Sequence, residues 1–101
     1  MQQNPMDVFQ KEAPEVAAAF NSLIMSLVGS KGLDTKTKQL IYIARKASMG
    51  DEIAVKFHVP MAKAAGATKE EVVDAILMTL TVSGIRGVAT CLPEAVRQFE
   101  K

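Results

Sequence analysis

The sequence predicts an all-α protein, a small helical bundle in one domain, and three observations carry that prediction. Hydrophobic residues make up 49% of the 101 residues while aromatics supply only 5%. The core is therefore aliphatic and rich in alanine and methionine, a composition that favours packed helices over sheets. Helix starts and stops are clearly punctuated, whereas strand signals are weak. The length leaves room for one modest core, so residues 1–101 are read as a single domain.

The elements follow in order. Pro14 suits the first turn of a helix that carries Phe20, Ile24, Leu27 and Val28 on one face and fades at Gly29 to Gly32. Its apolar stretch, Val16 to Val28, is interrupted by Asn21, Ser22 and Ser26 and is too short to span a bilayer, so it is expected to be a core helix. Asp34 caps the next helix, Thr35 to about Ser48. There Leu40, Ile41, Ala44 and Ala47 recur at helical spacing, with Lys36, Lys38, Arg45 and Lys46 mostly on other faces. Asp51 is expected to cap a third helix that ends at Gly66. Thr68 and Glu71 have the spacing of a capping box and open a helix over roughly Lys69 to Val82. That helix is apolar nearly all round, through Val72, Val73, Ile76, Leu77, Met78, Leu80 and Val82. Gly84 and Gly87 are expected to loosen the chain before a last segment, Val88 to Phe99, in which Pro93 should kink or restart the helix.

Charge and composition remove several function classes. Twelve basic residues against eleven acidic ones give a formal charge of +1, without a dense Lys/Arg run. This speaks against nucleic acid and anionic membrane as partners. The N-terminus, "MQQNPMDVFQKE", lacks the basic and then apolar regions of a signal peptide, so a cytoplasmic location is expected. One cysteine, Cys91, closes no intrachain disulfide and forms no CxxC pair, and with a single histidine it completes no zinc site. No metal or cofactor is expected.

The candidate chemistry lies in "GDEIAVKFHVPMAKAAG", Gly50 to Gly66, which contains the only histidine. On a helix, Asp51 lies about 20° from His58 around the axis and Ala54 about 40° from it, so the three form one stripe. Asp51 and His58 are about 10 Å apart along the axis, too far for a direct hydrogen bond. Ala54 leaves a gap between them that suits water, a neighbouring side chain or a small ligand. Pro60 cannot donate to the carbonyl of Lys56, which then needs another partner.

Each of these residues also has an ordinary reading. A lone histidine on a helix is commonly a surface residue or a satisfied core residue. Asp51 is explained as an N-cap, Cys91 as a small buried hydrophobe, and the six methionines as core filler.

The run "LDTKTKQLIYIARKASMGDEIAVKFHVPMAKAAGATKEEVVDAI" resembles the carboxymuconolactone decarboxylase and alkylhydroperoxidase D-like family. That family's pattern has a leucine-rich helix, a helix reading H-x-x-x-A-x-x-x-G-A-T, and a helix beginning E-E. Here His58, Ala62, Gly66, Ala67, Thr68, Glu70 and Glu71 occupy those positions. "VSGIRGVATCLPEA" looks like the family's glycine-containing final segment, so the likeness covers about Leu33 to Val96. The resemblance implies an all-helical fold that assembles as a homo-oligomer, often a trimer or hexamer. An apolar helix over Val72 to Val82 in so short a chain agrees with the need for a partner surface.

Departures from the family narrow the chemistry. Its peroxidase branch uses C-x-x-C-x-x-x-H with a glutamate on the preceding helix. The resemblance places Asp51 and Ala54 at the two cysteine positions and Gln39 at the glutamate, and leaves only His58. Gln39 does not relay a proton as a carboxylate does. Thiol peroxidase activity by that route is not supported, and the decarboxylase branch, which keeps the histidine without CxxC, is closer in kind. The leading reading is a cofactor-free acid–base enzyme acting on a small carboxylate or lactone. His58 would exchange the proton while Asp51, Gln39 and Tyr42 shape the pocket, and Lys38 or Arg45 is a candidate for holding a carboxylate. The alternatives are a non-catalytic oligomeric binding or scaffold member of the family and, last, a redox protein using Cys91.

Overall fold

The structure, a computed structural model, describes residues 4–100, and among these every regular element is a helix. The first three residues, on which the reading of the N-terminus partly rests, lie outside the described residues. The chain divides between Gly32 and Leu33 into two compact units.

The first unit is a helical pair, α1 (Pro5–Glu12) and α2 (Pro14–Gly29). Asn4 caps α1 by accepting from the Met6 amide at 2.8 Å, with Pro5 in the first turn, where its missing N–H costs nothing. Phe9 and Phe20 join the helices with ring centroids 5.8 Å apart and planes tilted by 60°. The expectation that α2 is a core helix is corrected: Ala17 is its buried residue, while Val16, Phe20, Leu23, Met25, Leu27 and Val28 are exposed. Two short helices have too little surface between them to enclose so broad an apolar face.

The second unit holds α3 (Thr35–Ser48), α4 (Glu52–Ala64), α5 (Lys69–Leu77), α6 (Leu80–Ser83) and α7 (Arg86–Arg97). In it α3 packs against α4, α5 and α7, and α7 also packs against α4 and α5. Ile43, Val55, Val59, Val72, Ile76 and Cys91 are its largest fully buried side chains, filled in by Ala47, Ala62 and Ala95. The caps stand where the sequence puts them. Asp34 accepts from the Thr37 amide at 2.7 Å, Asp51 accepts from the Ala54 amide at 3.0 Å, and Thr68 and Glu71 form the reciprocal capping box. Gly66 ends α4 with φ of 97°, a conformation that a side chain would strain.

Three expectations about the C-terminal half are corrected. The helix over Lys69 to Val82 is interrupted after Leu77, because the buried Thr79 turns its hydroxyl onto the Ile76 carbonyl at 2.7 Å and competes with the helical ladder. Gly87 does not loosen the chain. It is buried inside α7, and a Cβ there would sit 2.5 Å from the Ala47 carbonyl oxygen, so glycine is what lets α7 lie against α3. Of the two outcomes expected at Pro93, a kink or a restart, the restart does not occur: α7 runs through it, as α4 runs through Pro60. In both cases the residue four positions earlier, Ala89 or Lys56, is exposed, so solvent reaches the turn whose amide partner is missing.

Cross-element polar contacts pin the ends of this unit. Lys36 pairs with Glu71 at 2.9 Å, tying the start of α3 to the start of α5. Lys63 donates to the Gln98 carbonyl at 2.8 Å and lies 4.9 Å from the Phe99 ring centroid.

Candidate functional site

Three residues of α3 and one of α4 meet across the α3–α4 contact. Gln39, Tyr42 and Lys46 follow one another at i, i+3 and i+7, so the helix aligns them in one stripe. His58 faces that stripe from α4. Its Nδ1 lies 3.0 Å from Gln39 Oε1, and its ring stacks on Tyr42 with centroids 4.4 Å apart and planes 25° from parallel. The amide oxygen only accepts, so Nδ1 carries the proton of this hydrogen bond. In the neutral ring Nε2 then presents its lone pair.

The surroundings favour that neutral form. Burial is the main cause that lowers the proton affinity of the partly buried His58, Lys46 adds to it, and Asp51 works in the opposite direction. Lys46 is therefore a member of the site that the sequence reading placed on another face. Its Nζ lies 3.7 Å from Asp51 Oδ2 and 6.0 Å from the Tyr42 ring centroid. The signal that would have found it is its position four residues after Tyr42 and seven after Gln39.

Asp51, His58, Gln39 and Tyr42 are thus not equivalent. His58, Gln39 and Tyr42 are in direct mutual contact, with His58 at the centre. Asp51 spends Oδ1 on capping α4 and places Oδ2 toward Lys46, acting on the imidazole through its charge. The space beside His58 is occupied by the Tyr42 ring, and the adjoining depression, of about 90 Å³, is lined by Tyr42, Arg45, Lys46 and Met49 instead of Ala54. Lys38 does not line it, whereas Arg45 does.

Cys91 stands apart from this chemistry. It is fully buried in the core, and burial first, then the charges of Glu52 and Asp51, push its thiol up, so it stays protonated at neutral pH. Nothing in this environment generates a thiolate nucleophile. No cluster of three or more His, Cys, Asp or Glu side chains suited to a metal ion occurs among the described residues. Nor is any helix among them long and apolar enough to cross a membrane.

Known proteins share this arrangement of helices. A protein from Burkholderia xenovorans LB400, provisionally described as a carboxymuconolactone decarboxylase, has a solved structure that superposes with a TM-score of 0.89. It covers 98% of this chain and 80% of that one at 24% identity, which is a likeness of fold. Two uncharacterized proteins of Methanocaldococcus jannaschii are similar in sequence. One is 32% identical over 80 residues, 79% of this chain and 75% of its own length. The other is 35% identical over 81 residues, 79% of this chain and 78% of its own. The sequence profile of the carboxymuconolactone decarboxylase family matches residues 14–97, which include both the His58 helix and the α3 stripe that faces it. With most of its length matched by that profile and its helices arranged alike, this chain belongs to the carboxymuconolactone decarboxylase family.

Proposed function

We propose that the protein is a cofactor-free acid–base enzyme of this family, acting in the cytoplasm on a small carboxylate or lactone, with His58 as the group that exchanges the proton. The observation that carries the reading is the Nδ1 contact to Gln39 Oε1 at 3.0 Å, combined with a proton affinity lowered by burial and by Lys46. A histidine held in this way has a fixed tautomer and a free Nε2. It is neutral at physiological pH, so it accepts a proton from a carbon acidified by a neighbouring carbonyl, and as imidazolium it returns one. Gln39 holds the ring orientation, and Tyr42 fixes its plane by stacking.

Assembly as a homo-oligomer, a trimer or hexamer, is part of the same proposal. It is supported by the exposure in the single chain of Met78 (68%), Val82 (78%) and Ile85 (66%), apolar side chains on the stretch from the end of α5 to the start of α7. The competing reading, a non-catalytic binding member, is favoured by the Tyr42 ring that covers one face of His58.

A thermal-shift screen of small carboxylates and lactones, followed by assay of the hits, tests the choice. His58→Gln keeps much of the size and one hydrogen-bonding group but removes titration near neutral pH. A folded His58→Gln protein that binds the hits and lacks turnover supports the enzyme. Binding without turnover in the unaltered protein replaces it with the binding member.

A further inference from the structure

The helix that carries His58 is apolar on two sides. Val55, Val59 and Ala62 of α4 are buried in the core, whereas Ile53, Phe57 and Met61, at i, i+4 and i+8, are each about half exposed. With the exposed Pro60 and Ala64 and the partly buried Ala54, they cover about 120° of the helix surface. The charged residues of α4, Glu52, Lys56 and Lys63, fall together within about 40° on another edge. A helix that meets only water on its outer side carries its charges there, and α4 does not.

The outer face also reads alike in both directions from Phe57. Ala54 and Pro60, both small or compact, stand three residues away, and Ile53 and Met61, both large and aliphatic, stand four away. Such a surface is its own complement, the property that a two-fold contact requires. We propose that α4 packs antiparallel on α4 of a second copy about a two-fold axis at Phe57, and that this contact walls off His58. Ile53 then meets the partner's Met61, and Phe57 meets the partner's Phe57. The area suits the pairing: this face and its rim expose about 500 Å² in each copy, so two copies remove on the order of 1,000 Å², where specific interfaces begin. No charge of α4 lies on the face to be desolvated, and antiparallel order sets the two helix dipoles head to tail. His58 borders the face, about 40° from Ala54 and 60° from Met61 around the axis, so a copy seated there closes over the imidazole. The inference rests on the assembly proposed above and adds a surface distinct from the Met78 patch. A hexamer built as three pairs needs two kinds of contact, and a two-fold one is among them.

Phe57→Cys tests the axis. At the crossing the two copies of that position come within reach of a disulfide, whereas those of Ile53→Cys lie about 12 Å apart along the helices. The native Cys91 is buried. Mild oxidation of the full chain is expected to trap Phe57→Cys as a covalent dimer and to leave Ile53→Cys and the exposed Lys56→Cys as single chains on a denaturing gel. No trapping of Phe57→Cys, or equal trapping of all three, overturns the two-fold contact. In the Met78→Asp background Phe57→Cys should still be trapped, so the two surfaces fail separately; loss of the trap there overturns α4 as a contact of its own. Phe57→Glu should lower the mass found by light scattering and raise several-fold the rate at which diethyl pyrocarbonate modifies His58, the only histidine. An unchanged mass counts against the contact, and a lowered mass with an unchanged rate removes the wall over His58.

Discussion

Gln39 Oε1 lies 3.0 Å from His58 Nδ1, and this one contact joins the two helices that carry the candidate chemistry. A neutral amide orients the imidazole without adding charge. A carboxylate in the same place would both orient it and stabilise imidazolium. Gln39→Glu is therefore expected to raise the His58 midpoint by about one unit, because an opposite charge within hydrogen-bond reach favours the protonated ring. The check is the pH titration of the His58 ring by NMR. An unchanged midpoint would mean that residue 39 does not face His58 in solution.

The lowered proton affinity of His58 also predicts how stability depends on pH. Its folded-state pKa is depressed below the unfolded value of about 6.5. Between the two values the unfolded chain binds more protons, so stability rises with pH there. The contribution is complete above about pH 6.5 and is lost as pH falls through the folded value. Asp34 and Glu71 are also depressed, the first by its bonds to Thr37 and the second by its bond from the Thr68 amide and its pairing with Lys36. Their contributions disappear only at more acid pH, below about 4.5. The slope just below pH 6.5 thus belongs to His58. Urea unfolding at pH 7.5, 6.5 and 5.5 should show a midpoint that falls with acidification, and His58→Gln should flatten that fall.

The most sensitive backbone contact outside the site is that of Gly87 with Ala47. A Cβ at Gly87 would lie 2.5 Å from the Ala47 carbonyl oxygen, 3.0 Å from its carbon and 3.1 Å from Thr79 Oγ1. Two of these three atoms are backbone and cannot rotate aside. Gly87→Ala gains about 1 kcal/mol of helix propensity but forces α7 off α3, so a net loss of about 2 kcal/mol is expected. Gly32→Ala, where nothing lies within 4 Å, should change stability by less than about 0.5 kcal/mol. Chemical denaturation of both variants separates close approach from a general effect of replacing glycine.

These results locate where the sequence was legible. Caps were readable because each depends on a local hydrogen bond: Asp34, Asp51 and Thr68 with Glu71 all stand as their spacing requires. The Asn4–Pro5 start of α1 carries the same kind of signal, a capping side chain followed by a proline at the first helical position. What stayed hidden depends on tertiary partners. Gly87 resembles a loosening glycine until Ala47 is placed against it, and the break at Thr79 needs a buried hydroxyl with nowhere else to donate. In the site, His58, Gln39 and Tyr42 were found as candidates and do meet. The stacking of Tyr42 on His58 was not legible, because helix periodicity within α4 says nothing of the ring arriving from α3. Lys46 was missed for the same reason: its role follows from what faces α3.

The last prediction concerns the apolar surface around Met78. In the single chain Met78 is 68% exposed, and Val82 and Ile85 are exposed with it. Met78→Asp would therefore cost little in an isolated monomer, where a new carboxylate remains in water. In a homo-oligomer that covers this patch, the same change places an unpaired charge in a desolvated contact, which costs several kcal/mol at each copy of the interface. The two states of association thus give opposite outcomes. Light scattering at micromolar concentration should find the unaltered protein as an oligomer, and Met78→Asp should dissociate it or lower its thermal midpoint by several degrees. Exposed Lys69→Asp, at the opposite end of α5, controls for charge alone and should leave both readings unchanged. A Met78→Asp protein with the same mass and the same thermal midpoint as the unaltered one would place the subunit contact elsewhere, and a monomeric unaltered protein would end the proposal of assembly.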